Sequence, residues 1–193
     1  SHELISATIA TADPGFWQHS GYSISGISEH SHPTLAQQLV SDLLLWEEPA
    51  DLKSAIRERI LAAQITKMYG RAQVLEWYLN AVQYGPLIYG ADAAARVYFG
   101  KSASSINLSE AVWLAALAKR PDLPPTLADH NRLLEEMQTS GWITEIDAQK
   151  ARTDHPLQSI PPRSYETIAP GFTDYVLNAL RKNYRIDRIL RGG

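Results

Sequence analysis

Residues 111–118 constrain the fold more than any other segment, because all eight of these consecutive side chains are apolar. A helix that is apolar on every side is normally buried inside a protein. Just before this segment, Asn107 and Glu110 have the spacing of a capping box, in which the first side chain caps the helix and the glutamate reaches back. Pro121 then ends the helix, since proline cannot continue it. The sequence therefore predicts a buried helix here.

Most of the remaining sequence also has helical periodicity. Leu35, Leu39 and Leu43 recur at helical spacing behind Thr34, whose hydroxyl suits an N-cap. Gly70 suits the left-handed cap that ends a helix. Strand signals are weak, so we expect a mainly α domain with at most a short β hairpin, whose arm would be residues 22–27. The predicted helices cover residues 34–47, 49–69, 71–82, 91–99, 130–139 and 172–184, with a short helix from residue 144.

The length and composition of the chain limit its domain organisation and its functional class. A length of 193 residues suits one domain with a substantial core, or at most two small ones. The net charge of -3 argues against a general nucleic-acid binder, and the lack of cysteine excludes disulfides and thiolate metal sites. No apolar run reaches the roughly 20 residues that cross a bilayer. We expect a helical domain over residues 1–153, and a proline-rich connector with a last helix over residues 154–193.

The most distinctive motif is the run Glu76-Trp-Tyr-Leu-Asn80, which places a carboxylate, aromatic rings and an amide on one helix. Tyr84-Gly85 follows it, and residues 89–101 then form a helix of small residues that ends in Tyr-Phe-Gly-Lys. Two further motifs precede it. Residues 12–21 read Ala-Asp-Pro-Gly-Phe-Trp-Gln-His-Ser-Gly, and residues 34–38 read Thr-Leu-Ala-Gln-Gln.

Together these motifs resemble the glycosyltransferase domain of class A penicillin-binding proteins, which polymerises peptidoglycan strands from lipid-linked disaccharide. The resemblance covers about residues 7–184 and implies a lysozyme-like helical fold. Where the family carries its main catalytic glutamate, this chain has Ala12. The implied catalytic positions are therefore Ala12, Asp13 and Glu76. The implied substrate contacts are Phe16, His19, Thr34, Gln37, Gln38, Arg57, Glu58, Tyr78, Asn80 and Lys101.

The resemblance also implies partners and a location. The partners would be the lipid-linked disaccharide, the glycan strand and a membrane surface that Trp17 and Trp46 could enter, with no nucleic acid. A membrane anchor and a downstream transpeptidase domain would flank this piece of a longer protein, on the extracytoplasmic face of a bacterial membrane. The other reading is a complete small cytoplasmic protein. No firm cofactor is implied, but a divalent cation, Mg²⁺ or Mn²⁺, could act at the pyrophosphate. His30 and His32 lack a third metal ligand, so the sequence itself predicts no metal site.

The reaction of this family requires a base and positive charges that this chain lacks at the corresponding positions. A sugar hydroxyl attacks an anomeric carbon, so a base must take its proton, and cations must stabilise the departing pyrophosphate. Alanine cannot accept a proton, and Ser41, Ser54 and Ala55 lack the charges that the family usually has there.

Two versions of one identity therefore remain open. In the first, Asp13, Glu29 or Glu3 becomes the base, with Arg57 and Lys101 serving the phosphates. In the second, the domain binds a glycan or a partner without turnover. Two rival functions are a glycan-cleaving enzyme of similar fold and a purely helical interaction module. In either version of the family reading, we expect the carboxylate of Glu76 to share one cleft with Asp13 and the paired glutamines.

Overall fold

The computed structural model describes residues 1–27, 31–154, 175–176 and 178–179. Residues 1–154, apart from the gap, hold eight helices and one two-stranded hairpin, which confirms the predicted mainly α fold. No helix in the described ranges is long and apolar enough to cross a membrane. The elements are α1 (His2–Ala12), α2 (Leu35–Leu43), α3 (Leu52–Tyr69), α4 (Arg71–Ala81), β1 (Gln83–Gly85), β2 (Ile88–Tyr89), α5 (Ala91–Phe99), α6 (Leu108–Lys119), α7 (Leu127–Thr139) and α8 (Glu145–Thr153).

Helix α6 is the centre of the main core, as its apolar sequence predicts. Every residue from Ser109 to Leu117 is buried, and the ring of Trp113 is among the largest buried side chains. The predicted capping box is present, because Asn107 Oδ1 accepts from the Glu110 N–H at 2.9 Å and Glu110 Oε2 accepts from the Asn107 N–H at 3.0 Å. Helices α1, α5, α7 and α8 and strand β1 pack around α6.

Helix α1 was not predicted, because residues 2–12 mix polar and apolar side chains without a clear stripe. Ser1 caps it by accepting from the Leu4 N–H at 3.2 Å. Leu4, Ala7 and Ile9 are buried in the same core as α6. This helix ends at Ala12, so Ala12 and the following Asp13 lie where α1 joins the rest of the domain.

Helices α2, α3 and α4 form a second, smaller core, in which Ala36, Leu39, Val40, Ala62 and Val74 are buried together. Gly70 alone connects α3 to α4 and is the cap residue of both. The predicted helix end at Tyr69 is correct, but Gly70 combines a φ of 81° with an extended ψ of 160° and is not a left-handed cap. Because α4 starts at the next residue, Gly70 makes a turn between the two helices instead of forming a left-handed cap at the end of α3.

Helix α2 ends at Leu43 and not at residue 47, and α3 begins at Leu52 and not at residue 49. Proline disfavours helical backbone in the residue before it, so Pro49 interrupts the helical pattern at this point. Asp51 then caps α3 in a capping box with Ser54.

The hairpin lies at β1 and β2, where Gln83 pairs with Tyr89, and the predicted arm at residues 22–27 forms no strand. Side chains satisfy the backbone there instead. The Ser23 N–H donates to Gln37 Oε1 at 2.8 Å, and Arg59 donates to the carbonyls of Ser23 and Ser25 at 2.9 and 3.1 Å. Within the predicted helix 172–184, the structure describes residues 175–176 and 178–179, which are helical; the rest of that helix and most of the connector lie outside the described residues.

We expect Gly21→Ala to destabilise the fold by about 2–4 kcal/mol, because a methyl group there combines backbone strain with a clash. Gly21 has a φ of +90°, and an added Cβ would lie 2.0 Å from Thr66 Oγ1 and 2.9 Å from the Ala62 carbonyl. Urea unfolding measures the loss. Gly100→Ala is the matched control: its φ is +68° with no atom within 4 Å, so it should cost about 1–2 kcal/mol. Equal losses for both variants would contradict the clash.

Candidate active site

The site begins at Asp13, the residue that caps the end of α1. Its carboxylate is buried, with an exposed fraction of 3%, and both oxygens accept hydrogen bonds. Oδ1 lies 2.8 Å from His19 Nε2, and Oδ2 accepts from the Leu35 N–H at 3.0 Å. Leu35 is the first residue of α2, so the carboxylate also faces the positive end of that helix dipole. Asp13 thus joins α1, the following loop and α2.

The hydrogen bonds of His19 define the tautomer of its ring. The Gly21 N–H donates to His19 Nδ1 at 3.0 Å, so Nδ1 carries the lone pair and Nε2–H donates to Asp13. Phe16 is buried, and its ring meets the His19 ring edge-on with centroids 6.4 Å apart. Arg71, at the start of α4, donates to the His19 carbonyl at 2.6 and 3.1 Å. Residues 13–21 are therefore fixed at both ends.

A second set of polar side chains starts at Thr34, the N-cap of α2. Its hydroxyl accepts from the Gln37 N–H at 3.1 Å and donates to the Gly21 carbonyl at 2.8 Å. Gln37 is completely buried. Its Oε1 accepts from the Ser23 N–H, and its Nε2 donates to Glu58 Oε1 at 2.8 Å. The chain of contacts from Asp13 to Glu58 is therefore continuous.

Glu58 is 3% exposed and lies between two cations. Its Oε2 accepts from His32 Nδ1 at 2.5 Å, and Arg59 Nη1 lies 3.5 Å from Oε1. His32 Nε2 is 3.4 Å from the Ser41 hydroxyl. These residues line a cavity of about 110 Å³ that also contains Ser54 and Glu48. His32 and Arg59 line the same cavity as Ser41 and Ser54, the positions where the resemblance implies basic residues.

The hydrogen bond with Glu58 raises the pKa of His32 above its ordinary value of 6.5. Burial acts in the opposite direction, while the charges of Glu58 and Asp42 add to the rise. Arg59 opposes it by repulsion. The imidazolium form is therefore favoured beside the buried carboxylate.

Ala12 lines a separate cavity of about 330 Å³ between α1, α2, α4 and α6. Gln38 and Tyr78 border the same space, and the Tyr78 hydroxyl donates to Gln38 Oε1 at 3.2 Å. Burial raises the pKa of Tyr78, so the phenol remains protonated. The lining of this cavity thus contains no carboxylate, although the resemblance implies that the base would stand at position 12.

The structure does not bring the other predicted residues into this network. Glu76 and Asn80 lie one turn apart on the exposed side of α4, and the described partner of Glu76 is the Gln73 amide at 3.1 Å. Arg57 forms a surface ion pair with Glu48, and Lys101 pairs with Glu110 at 2.7 Å. The expected shared cleft of Glu76, Asp13 and the glutamines is therefore absent from the contacts of the described residues.

The sequence offered two other candidates for the catalytic base, Glu3 and Glu29. Glu3 lies in the first turn of α1 and lines a different cavity with His2 and Trp142. With a rise of 1.5 Å per residue, it is about 14 Å along the helix from Ala12. Glu29 lies outside the described residues.

Sequence reasoning missed the residues that hold the site together. Arg59 and Arg71 act on backbone carbonyls that are 34–52 residues away in sequence, and no local pattern reports such contacts. His32 was judged only as a metal ligand. Its position could have indicated a role in the site, because His32 lies two residues before the N-cap Thr34, on the segment that leads into α2 and Gln37.

Comparison with known proteins identifies the family of the chain. The sequence model of the family described as Transglycosylase matches residues 1–142, so the chain belongs to that family. The resemblance found in the motifs is confirmed. Its relatives include penicillin-binding protein 1A of Aquifex aeolicus, 32% identical over 197 residues, which cover 92% of this chain and 26% of the relative.

A second kind of relative has a more specific name. The biosynthetic peptidoglycan transglycosylase of Aeromonas hydrophila is 38% identical over 132 residues, covering 63% of this chain and 56% of that protein. The chain therefore spans about a quarter to about half of the curated relatives that it matches. A crystal structure of penicillin-binding protein 1A from Haemophilus influenzae has a TM-score of 0.48 and 22% identity, covering 86% of this chain and 22% of that one.

We expect an NMR titration to place the pKa of His32 above 6.5, and Glu58→Gln to lower it, because the main interaction partner loses its charge. Since the pKa is higher in the folded chain, the stabilisation by this pair is complete below about pH 6.5 and is lost as the pH rises through the folded value. Urea unfolding from pH 6 to pH 9 measures that loss, at most about 1 kcal/mol for such a partly exposed pair.

Glu48→Gln is the matched control for this titration, because Glu48 lines the same cavity but pairs with Arg57. It should leave the His32 titration unchanged. A His32 pKa that is the same in the wild type and in Glu58→Gln would contradict the assigned pair.

Proposed function

We propose that this chain is a peptidoglycan glycosyltransferase-type domain that binds lipid-linked disaccharide (lipid II) and its glycan product, and that extends glycan strands slowly. Family membership supports the reaction class. The observation that carries the reduced rate is that Ala12 offers no proton acceptor while Asp13 and Glu58 are already engaged by protein donors.

The reaction explains why this arrangement is slow. A hydroxyl of one sugar forms the new bond to the anomeric carbon of another, and the lipid pyrophosphate leaves from the opposite face. The attacking hydroxyl must lose its proton, and a positioned base contributes roughly 10²–10⁴-fold to such a step. Both oxygens of Asp13 accept hydrogen bonds inside the protein, so its role is to position the loop of residues 13–21.

Positive charge for the leaving pyrophosphate comes from different residues than the sequence suggested. Arg57 and Lys101 are each paired with a carboxylate. His32 and Arg59 line the cavity beside Glu58, and the hydrogen bond with Glu58 raises the pKa of His32, which favours its cationic form. Electrostatic stabilisation of developing charge is usually the largest single contribution to catalysis. We assign that role to His32, because Arg59 is buried and already donates to the Ser23, Ala55 and Ser25 carbonyls.

A resident divalent cation does not fit the donor set of this site. Asp13 and Glu58 already accept from protein donors at every carboxylate oxygen. The described residues contain no group of three histidine, aspartate or glutamate side chains that could hold a metal ion. We therefore derive no step through Mg²⁺ or Mn²⁺.

A lipid-linked substrate places the domain at a membrane surface. Trp17 and Ile24 are exposed on the loop that follows α1, and Leu43 and Leu44 are exposed at the end of α2. Exposed apolar side chains can enter the headgroup region and orient a peripheral protein. We propose that these residues face the extracytoplasmic side of a bacterial membrane, with an anchor and a transpeptidase domain elsewhere in the full protein.

The second candidate function is binding of the glycan without turnover. The same two occupied carboxylates favour it, because they hold the loop and α2 together without offering a base. The glycan-cleaving enzyme needs a free acidic carboxylate near the sugar, and the described network presents none. Assays of polymer, bound precursor and soluble fragments separate these functions.

We expect Ala12→Glu to increase polymerisation of lipid-linked disaccharide by about 10²-fold or more, because it restores a proton acceptor beside the substrate. Gel electrophoresis of labelled glycan measures the product. Ala10→Glu is the control, since that residue lies on another side of the same helix and outside the cavity.

Four results bear on this proposal. Slow polymer formation by the wild type supports it, and precursor that binds without polymer in either protein favours the binding function. Polymer formed by the wild type as fast as by Ala12→Glu would mean that another residue is the base. A chain that neither binds nor consumes the precursor would overturn both candidates.

A further inference from the structure

We propose that the outer face of α4 binds an N-acetylated glycan chain. This α4 surface consists of Gln73, Glu76, Trp77 and Asn80, together with Tyr69 at the end of α3. It contains two residues of the most distinctive sequence motif, Glu76 and Asn80, which do not line the cavity beside Ala12. Binding of a glycan here does not depend on the proposed function, whereas the idea that the bound chain is the domain's own product does.

The α4 surface lies on the side of the helix that points away from the cavity beside Ala12. Its four α4 residues are spaced by three and four positions, so they share one face of the helix. Tyr78, which lines the cavity, is two residues from Glu76 and two from Asn80. Two residues correspond to 200° around a helix, so both side chains lie nearly opposite Tyr78. The α4 surface is therefore separate from the place where the reacting sugar would bind.

Two aromatic rings form the apolar part of this surface. The rings of Tyr69 and Trp77 meet edge to face, with centroids 4.9 Å apart and planes inclined by 65°. Tyr69 is 53% exposed, and Trp77 is half-buried against the smaller core. The pair spans the one-residue junction at Gly70, so two helices hold it in place. Partly exposed aromatic rings with a polar atom are typical of binding surfaces, and the C–H face of a pyranose ring packs well against them.

Amide and carboxylate groups accompany the rings on the same face. Gln73 Nε2 donates to Glu76 Oε2 at 3.1 Å, and the side chains of Glu76 and Asn80 are exposed. A carboxylate only accepts hydrogen bonds, so it suits the hydroxyl groups of a sugar. A side-chain amide both donates and accepts, so it suits an acetamido group. Rings, carboxylate and amides together match an N-acetylhexosamine unit.

The same groups disfavour other occupants. Glu76 and Arg71 are the charged side chains of α4, and Arg71 is bound to the His19 carbonyl. The carboxylate of Glu76 therefore repels nucleic acid and anionic lipid. A wholly apolar partner would remove Glu76 and Asn80 from water without replacing their hydrogen bonds, which costs free energy. A neutral chain rich in hydroxyl and acetamido groups avoids both costs.

The first experiment titrates the ¹⁵N-labelled chain with chitotetraose, the β-1,4-linked tetramer of N-acetylglucosamine, and follows it by NMR. We expect saturable shifts at the Trp77 indole N–H and the Asn80 side-chain amide, with a Kd of roughly millimolar. Tyr69→Ala should weaken binding by about fivefold or more because it removes one ring, while Tyr69→Phe should stay within about twofold of the wild type. Tyr22→Ala, at another exposed tyrosine, is the matched control and should bind normally.

The second experiment tests the polar groups. Glu76→Gln should weaken the binding of chitotetraose by about threefold or more, because it replaces a charged acceptor. Glu135→Gln, at an exposed glutamate of α7, is its control and should have no effect. Cellotetraose has the same β-1,4 backbone without acetamido groups, so it should bind about fivefold more weakly or worse.

The outcomes separate this proposal from the proposed function. No saturable shift at Trp77, shifts confined to the lining of the cavity beside Ala12, or equal binding by Tyr69→Ala would overturn the α4 surface. Equal affinity for cellotetraose would overturn the assigned ligand class. Chitotetraose contains no lipid pyrophosphate, so it tests the α4 surface whether or not the chain polymerises lipid-linked disaccharide. Polymer formation without shifts at Trp77 would reject the α4 surface alone.

Discussion

The buried carboxylate of Asp13 is the constraint on which the rest of the site depends. A negative charge removed from water is costly unless donors surround it, and here the His19 ring and the first N–H of α2 supply them. Each donor belongs to a different part of the chain. The charge can therefore be satisfied only when the end of α1, the loop and the start of α2 come together, which makes the carboxylate a structural anchor for the whole region.

The same logic extends from Asp13 to Glu58. Gln37, completely buried, bridges the backbone of Ser23 to the carboxylate of Glu58, and Arg59 holds the carbonyls of the same loop. Side chains thus replace the strand pairing that this loop lacks. The loop keeps a defined shape because three helices contribute polar groups to it.

Much of the fold could be predicted from interactions between residues that are close in sequence. The apolar run of α6, the capping box at Asn107 and the helix end before Gly70 each follow from a few neighbouring residues, and the structure has them. Helix α1 and the true hairpin were missed, since burial against α6 rather than local pattern stabilises them. The motifs led to Asp13, Thr34, Gln37 and Glu58, which do meet. They could not supply the partners His32, Arg59 and Arg71, because those contacts cross long stretches of sequence.

The one-residue junction at Gly70 has a consequence for how this domain can vary among natural sequences. Arg71 reaches the His19 carbonyl from the first position of α4, and Tyr78 reaches Gln38 two turns later. Adding or deleting a single residue at the junction would rotate both side chains by about 100° around the helix axis. We therefore expect insertions and deletions to be selected against at Gly70 but to be tolerated in the turn of residues 120–126.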